Sequence, residues 1–357
     1  MTGKRPTLAD VAARAGTSTA VVSYVMNDGP RPVSDTLRAR VVAALDELNY
    51  RPNRVARALR RPRRWRQIGL LVPDLTMPLY GAFVGRVEVE ARARGHLTMI
   101  GNTGFEADRE LEFAAAFAEV GIDGLIVVGA VNAAATSATC TQARIPVVWV
   151  HNSRGAIDAP VVGADHVRAG SLAARHLSDT HGCTDVVFVG GLSGEDVEYG
   201  DRETVTQRYL GFSSVLGESA RTITTDMTAA GSYAVVSDYL RTCARPPQGL
   251  VIGTYGQSAA VLRAVLDAGL RVPDDIRIIG FDADDANSYR PIILTTVQQP
   301  IEAITRRALD CLLDEVTGDA QITDCQITDS GPLDVTLNLG ETCGCALTTD
   351  RGGAGSA

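Results

Sequence analysis

Residues 7–59 read TLADVAARAGTSTAVVSYVMNDGPRPVSDTLRARVVAALDELNYRPNRVARAL, and their apolar side chains recur at helical spacing in three short segments. Thr7 and Asp10 predict a capping box at the start of a first helix. Gly16 predicts the end of that helix, and Ser18 predicts the N-cap of a second. Two short helices separated by a glycine turn and braced by a third indicate a helix-turn-helix domain.

The second predicted helix has two faces. Its inward face is apolar and consists of Val21, Val22, Val25 and Met26. Its outward face is small, polar and uncharged and consists of Thr19, Ala20, Ser23, Tyr24 and Asn27.

Charge is divided unevenly along the chain. Residues 1–66 contain 14 Lys and Arg against 5 Asp and Glu, whereas the remaining residues contain 20 against 37. A basic head on an acidic body favours attraction to phosphates without making the whole molecule a polycation. We therefore favour DNA binding over the alternative that the head is only a small helical bundle.

A short basic segment follows the head. Residues 51–66 are predicted to form a hinge helix and a basic linker, with Pro52 at a first-turn position and Val55 and Leu59 at i, i+4 spacing. So short a helix is marginal alone in water, and we expect it to order only when it docks against DNA and a second copy. For the arginines between 60 and 66, a solvated linker without specificity is the alternative.

From residue 67 onward, short apolar runs alternate with helical stretches. Strands are predicted at 67–73, 97–101, 123–129, 146–150, 185–190, 249–253 and 276–281. Helices are predicted near 79–94, 107–120, 166–180, 203–217, 229–242 and 257–268. Near-continuous apolar strands between helices indicate parallel sheets that are covered on both faces. The predicted fold is an all-α helix-turn-helix head followed by an α/β core of two Rossmann-like subdomains.

Three segments carry a resemblance to a known family. They are TLADVAARAGTSTAVVSYVMND, VSDTLRARVVAALDELNYRPNRVARAL and QIGLLVPD, and weaker motifs extend to about residue 340. They resemble the LacI/GalR family of bacterial transcription regulators. The resemblance implies a DNA-binding head in front of a core that is similar to the periplasmic sugar-binding fold.

The resemblance also implies which residues of the head contact DNA. Thr19, Ala20 and Tyr24 would face base edges in the major groove, and Ser18, Ser23 and Asn27 would lie nearer the phosphates. Arg31 belongs to a loop that is one residue longer than in the lactose-type head, and it is included among the DNA-binding residues. Tyr24 stands where arginine is common in relatives, and a tyrosine offers one hydroxyl in place of a fork of donors. No half-site sequence is therefore carried over.

The hinge helices of a dimer would enter the minor groove together. Leu59 would be the apolar wedge that partly unstacks a central base step, with Asn53 and Ala56 beside it. Val55 would pack on its twin from the other copy.

Polar side chains just past the predicted strand ends are candidate effector ligands, because ligands in open α/β sheets bind beyond those ends. They are Asp74, Tyr80, His151, Arg208, Thr254 and Asp282. Arg208 begins an Arg-x-x-Gly-aromatic motif and Asp282 ends a Gly-aromatic-Asp motif, and the resemblance implies that both hold effector hydroxyls. Solvated surface charges are the alternative for these two, and packing roles are the alternative for Tyr80 and His151. The expected effector is a sugar or related polyol.

The predicted organisation has four parts, of which the third consists of two lobes. The parts are a helix-turn-helix domain at 1–50, the hinge at 51–66, a two-lobed effector-binding and dimerisation domain at 67–340 and a flexible tail at 341–357. The first lobe takes 67–164 and 296–326, and the second takes 165–295 and 327–340.

Other chemistry has little support in the sequence. His176 and His181 lie five residues apart, a spacing that does not put both imidazoles on one face of an α-helix and so argues against zinc. Cys343-x-Cys345 is too close for an ordinary structural zinc pair. P-loop, hydrolase-elbow and His-Glu-x-x-His motifs are absent from the sequence. No metal, cofactor or catalytic residue is predicted, and the protein is not expected to be an enzyme.

Two features bear on the cellular compartment. Neither a transmembrane span nor a secretory signal is found, which makes the cytoplasm the expected compartment. The seven cysteines are odd in number and scattered, which favours reduced thiols.

The sequence thus predicts a homodimeric transcriptional regulator that acts as a repressor and binds a near-palindromic DNA operator. A small molecule between the lobes would set its DNA affinity. A ligand-binding protein or a cleft enzyme on the same two-lobed scaffold is the alternative.

Overall fold

The structure is a computed structural model that describes residues 7–27, 33–48, 66–151, 159–192, 202–282, 285–317 and 331–345. Residues 51–65 of the predicted hinge and Arg31 lie outside these ranges, and the side chain of Asn27 is likewise not described. The chain divides into two compact units, Met1–Arg64 and Trp65–Ala357, which are considered separately.

The first unit contains three helices. They are α1 (Leu8–Ala15), α2 (Thr19–Asn27) and α3 (Asp35–Glu47). The capping box is confirmed, because Thr7 and Asp10 each accept a hydrogen bond from the other's backbone amide. Gly16 ends α1 with a φ of 63°, a left-handed conformation that glycine adopts without steric cost. Ser34 precedes α3 but its side chain makes no capping hydrogen bond.

The second unit begins with a five-stranded parallel sheet whose strand order is β2-β1-β3-β4-β5. Its strands are β1 (Gln67–Val72), β2 (Leu97–Asn102), β3 (Gly124–Val128), β4 (Val147–Val150) and β5 (Val161–Val162). Helices α4 (Pro78–Ala93), α5 (Ala107–Val120) and α6 (Ala133–Ala143) connect them. Ile68, Leu70 and Leu71 are fully buried, as a strand covered on both faces requires.

The second sheet has six strands in the order β11-β10-β9-β8-β6-β7. They are β6 (Val186–Gly190), β7 (Arg221–Thr224), β8 (Gly249–Ile252), β9 (Arg277–Phe281), β10 (Thr295–Gln298) and β11 (Thr336–Asn338). The helices of this lobe are α7 (His166–Arg175), α8 (Arg202–Leu216), α9 (Ala229–Thr242) and α10 (Tyr255–Asp267). All neighbouring strands are parallel except β10 and β11, which are antiparallel.

The chain crosses back from the second sheet to the first lobe after β10. Helix α11 (Ile301–Thr317) packs against α4, β3 and β4. Strand β10 belongs to the second sheet, so the lobe boundary lies a few residues after the predicted position at 295. One cluster of buried apolar side chains, which includes Ile68, Phe188 and Leu312, runs through both lobes.

The predicted strands and helices of this unit are confirmed to within about two residues, except that the helix predicted at 166–180 is α-helical only to Arg175 and continues as a π-helix to Thr180. Several other elements were not predicted. Strands β5, β7, β10 and β11 and helices α6 and α11 have no predicted counterpart. Helix α6, AAATSATCTQA, is made of small and polar residues and has no apolar stripe to reveal it. Strand β7 lies at a sheet edge and exposes all of its side chains except Ile223.

The segment predicted as a flexible tail starts with ordered residues. Backbone hydrogen bonds join Glu341 and Thr342 to Ile293, and Thr342 and Cys343 are fully buried. Cys345 is the last residue that the structure describes.

Two further observations concern the cysteines and the membrane. The prediction of reduced cysteines is wrong for Cys311, which is disulfide-bonded. Among the cysteines that the structure describes, Cys140, Cys183, Cys243, Cys343 and Cys345 are free thiols. Within the described ranges, no helix combines the length and apolar character that a membrane span needs.

Candidate functional site

The outward face of α2 is the candidate DNA-reading face. Thr19 and Ala20 are exposed, and Ser23 and Tyr24 are half-buried. The opposite face carries Val22 and Val25, which are buried against α1 and α3.

Ser18 fixes the start of this helix. Its hydroxyl accepts a hydrogen bond of 3.4 Å from the amide of Val21, and its carbonyl accepts one of 3.1 Å from Val22. These bonds satisfy amides that the first turn of a helix leaves without intrahelical partners. The helix is therefore capped at its start, and Thr19 and Ala20 are exposed in its first turn. Asn53, Val55, Ala56 and Leu59 lie outside the described residues.

A cavity between the two lobes is the candidate effector site. Five of the six predicted effector residues line it, namely Tyr80, His151, Arg208, Thr254 and Asp282. They come from both lobes because the carboxyl ends of the two sheets face each other across the cavity. Asp74 is the exception. It is not among the lining residues, and its carboxylate accepts hydrogen bonds from the amide and hydroxyl of Thr76 at 2.8 and 2.7 Å.

Arg208 and Asp282 form the polar floor of this cavity. Nη2 of Arg208 lies 3.2 Å from Oδ2 of Asp282, and Nη1 donates to the carbonyl of Gly253 at 2.8 Å. The guanidinium also lies over the ring of Phe281, 4.3 Å from its centroid. Both charged side chains are almost completely buried, so the alternative of solvated surface charges is wrong for this pair.

Gln299 is a lining residue that the sequence reasoning missed. Its Nε2 donates to Oδ2 of Asp282 at 2.7 Å, and its backbone amide donates to Oδ1 at 3.1 Å. Its Oε1 is buried without a hydrogen-bond partner among the described residues. A buried acceptor of this kind is costly unless a ligand or water satisfies it. Gln299 directly follows β10. This strand was not predicted because its sequence, TTVQ, is mostly polar, so Gln299 was not recognised as a residue at a strand end.

Two histidines that line the cavity, one after β4 of the first lobe and one at the start of α7 in the second, are in contact. Nδ1 of His151 lies 3.4 Å from Nε2 of His166, and the His151 ring meets Phe83 edge to face at 5.2 Å. His151 has a φ of 60°, which is uncommon for a residue with a side chain. His166 is the first residue of α7 and lines the cavity. Like Gln299, it was not predicted from the sequence.

Close packing of α7 on α8 fixes the position of Arg208. A Cβ at Gly170 would lie 1.7 Å from the carbonyl oxygen of Arg208, and a Cβ at Gly211 would lie 1.8 Å from that of Val167. The two helix backbones can approach this closely only because both positions are glycine. The glycine of the Arg-x-x-Gly-aromatic motif thus has a packing role, and the aromatic Phe212 is fully buried in the core.

The apolar wall of the cavity comes partly from the start of α4. Met77, Pro78 and Leu79 line it together with Tyr80 and Met227. A Cβ at Gly256 would lie 3.2 Å from Cε of Met77, so the two lobes meet over the cavity. The site therefore combines a charged and amide-bearing floor with an apolar wall, an arrangement that suits a small molecule with several hydroxyls and one apolar face.

Comparisons with known proteins agree with this arrangement. A sequence profile described as "Bacterial regulatory proteins, lacI family" matches residues 7–53, and one described as "Periplasmic binding protein-like domain" matches residues 174–331. An uncharacterized HTH-type transcriptional regulator of Streptomyces limosus is 31% identical over 87% of this chain and 88% of its own length. The HTH-type transcriptional repressor PurR of Pectobacterium carotovorum is 30% identical over 87% of this chain and 90% of its own.

A solved structure shares the fold. The lac repressor dimer bound to operator and the anti-inducer ONPF aligns with a TM-score of 0.75 and 24% identity, and the alignment covers 95% of this chain and 99% of that one.

Proposed function

This chain belongs to the lacI family of bacterial regulatory proteins, and we propose that it represses transcription as a homodimer on a near-palindromic operator. It is a DNA-binding transcriptional regulator controlled by a small-molecule effector and is not an enzyme. Our proposal concerns the residues that perform each task and the class of effector.

The basic head supports the DNA-binding assignment. Its second helix buries Val22 and Val25 and presents Thr19 and Ala20 to solvent, so short side chains can reach base edges in the major groove. Ser18, Ser23 and Asn27 are assigned to the phosphate backbone on the strength of the resemblance, and Arg31 is proposed as a further DNA-binding residue. Phosphate contacts fix the register of the head, whereas base contacts select the sequence.

The effector is proposed to be a sugar or related polyol. The single observation that carries this proposal is the buried floor of Arg208, Asp282 and Gln299, which offers donors and acceptors side by side. A guanidinium and a carboxylate can each make paired hydrogen bonds to neighbouring hydroxyls. Tyr80 and Met227 would cover the apolar face of the ring. Asp74, which lies outside the cavity, is no longer assigned to the effector.

The proposed mechanism couples the cavity to the hinge. Effector binding would favour one arrangement of the two lobes and thereby change the separation of the two hinges at Val55. Paired hinges would fold and insert Leu59 between base pairs, whereas separated hinges would melt. The effector can shift this equilibrium only by the difference between its affinities for the two states.

A selection experiment tests the proposal. The purified protein would be incubated with a pool of random duplexes at moderate salt, and bound duplexes would be sequenced; we expect a near-palindromic consensus. A thermal-shift screen of sugars, nucleosides and sugar phosphates would then identify ligands, because a ligand of the folded state raises the melting temperature. Retained sequences without any common motif would contradict the regulator assignment. Turnover of a ligand would favour the cleft enzyme.

A further inference from the structure

Four side chains that commonly bind metal ions converge at the end of α7. His176, His181, Cys343 and Cys345 each contribute one ligand atom, and these atoms all lie within 4.8 Å of one another. His176 and Cys343 are buried, and His181 and Cys345 are half-buried. None of the four lines the interlobe cavity.

A π-helical turn brings the two histidines together. Residues His176–Thr180 extend α7 as a π-helix, in which hydrogen bonds join residues five apart. His181 follows directly, so its ring meets that of His176 with centroids 4.8 Å apart and Nε2 atoms 3.2 Å apart. The sequence argument that this spacing separates the imidazoles is wrong here, because it assumed an α-helix, where residues five apart differ by roughly 140°.

The two cysteines reach the same point because their segment is anchored to the second sheet. Two hydrogen bonds join Thr342 to Ile278. The amide of Ile278 donates to the carbonyl of Thr342 at 2.9 Å, and the hydroxyl of Thr342 donates to the carbonyl of Ile278 at 2.7 Å. Gly344 has a φ of 88°, a conformation open to glycine that turns the chain between the cysteines. Because of this turn, Cys343 and Cys345 both contribute to the cluster although only one residue separates them.

Three of the distances are close to those of a tetrahedral zinc site, and the ligand atom of Cys343 lies within 4.8 Å of the other three. With Zn–N of about 2.05 Å and Zn–S of about 2.3 Å, the tetrahedral edges are about 3.3 Å between two nitrogens and about 3.6 Å between nitrogen and sulfur. The observed Nε2–Nε2 distance is 3.2 Å, and Sγ of Cys345 lies 3.6 Å from Nε2 of His176 and 3.4 Å from that of His181.

We propose that His176, His181, Cys343 and Cys345 bind one Zn²⁺ ion. Two nitrogens and two sulfurs are a donor set that zinc prefers in structural sites, where all four positions come from the protein. On binding, each thiol releases its proton to solvent, so two thiolates balance the charge of the ion. The alternative is that the four side chains are close only because they hydrogen-bond to one another. Titration with Co²⁺ distinguishes a metal site from such a hydrogen-bonded cluster.

The ion would join two segments that are far apart in the sequence. It would tie the chain after β11 to the end of α7, whose first residue, His166, lines the interlobe cavity. Its role is structural, since it would hold α7 in the position from which that helix packs on α8. This proposal does not depend on the identity of the effector or the operator.

Cobalt(II) tests the site directly, because it occupies zinc sites and absorbs visible light in tetrahedral thiolate coordination. The untagged full chain would be reduced, freed of metal with a chelator and titrated with Co²⁺. We expect one equivalent per chain, with visible d–d bands and a sulfur-to-cobalt charge-transfer band, and displacement of both by Zn²⁺. The protein as purified should contain one equivalent of zinc by elemental analysis and should melt at a lower temperature after chelation.

Variants assign the ligands. Cys345→Ser and His181→Gln change half-buried side chains and should abolish stoichiometric cobalt binding, and far-ultraviolet circular dichroism would verify that each still folds. Cys243→Ser alters a half-buried free thiol outside the cluster and should bind cobalt like the wild type. Reduced wild-type protein that gives no tetrahedral cobalt spectrum would overturn the proposal, as would a native disulfide between Cys343 and Cys345 without bound zinc. So would unchanged cobalt spectra in both ligand variants.

Discussion

Nη2 of Arg208 and Oδ2 of Asp282 lie 3.2 Å apart, and each side chain is only 4% exposed. Gly253 and Gln299 supply further hydrogen bonds to the pair. Charges buried to this degree are tolerated when they are paired and hydrogen-bonded on all sides. A ligand hydroxyl that enters this network meets groups already held in place, so little conformational entropy is lost on binding.

We expect removal of either partner to abolish the effector response. Arg208→Ala and Asp282→Ala should each retain operator binding, because the head is a separate unit, but neither should respond to effector. Each should also lower the free energy of unfolding by about 3–5 kcal/mol, because one buried charge loses its partner. Operator titrations with and without effector, together with urea denaturation, measure the two effects.

The matched control for this pair is Arg263→Ala. Arg263 forms an exposed ion pair with Asp267 on α10, and its loss should leave effector response and stability unchanged. If both cavity variants titrate with effector like the wild type, the assignment of the cavity is wrong.

Gly211→Ala should disturb the packing of α7 on α8. The new Cβ would meet the carbonyl of Val167, so the helices must separate, and we expect a loss of about 1–3 kcal/mol in the free energy of unfolding. Effector affinity should fall as well, because Arg208 moves with α8. Denaturant melts and effector titrations measure both. Gly331→Ala is the control, since a Cβ there would meet nothing within 4 Å. Equal stability of the two variants would argue against the packing role.

Tyr24→Phe and Thr19→Ala should weaken the preference for operator over random DNA. Each removes a hydroxyl from the proposed reading face, and a good base contact is worth about 1–3 kcal/mol of discrimination. Non-specific affinity and its salt dependence should stay the same, because neither substitution removes a positive charge. Thr36→Ala changes an exposed threonine on α3 and serves as the control. Fluorescence anisotropy on specific and random duplexes reports the ratio, and an unaltered ratio in both variants would refute the reading face.

Leu59→Ala should reduce operator affinity by about 10- to 100-fold, since full burial of a leucine side chain contributes about 1.5–3 kcal/mol. Binding to random DNA should persist because the basic residues are retained. Leu210→Ala, which truncates an exposed leucine of α8, is the control for a leucine outside the hinge. Operator affinity that is unchanged in the Leu59 variant would remove the hinge from the mechanism.

Much of the fold follows from local sequence. Thr7, Asp10 and Gly16 specify the limits of α1 through hydrogen bonds and a backbone angle that involve near neighbours only. The apolar runs of β1 and β3 similarly predict buried parallel strands, because a strand covered on both faces has no room for polar side chains. Arg208 and Asp282 could be singled out by motif and by their position after strand ends.

Other features arise only when distant segments meet. Gln299 lies behind a polar strand, and Gly170 and Gly211 acquire their role only once α7 lies on α8. The cluster of His176, His181, Cys343 and Cys345 depends on a π-helical turn and on a C-terminal segment anchored to the second sheet.

The sequence by itself therefore determined the head and the two lobes and singled out Arg208 and Asp282 as candidates, because local periodicity, capping, motif and strand-end position are properties of neighbouring residues. Only the tertiary structure decided which side chains share the cavity and that two histidines meet two cysteines 162 positions or more further along the chain. The physical reason is that such contacts depend on backbone hydrogen bonds and helix packing between segments that are far apart in the sequence. Local sequence patterns do not show which distant segments will meet.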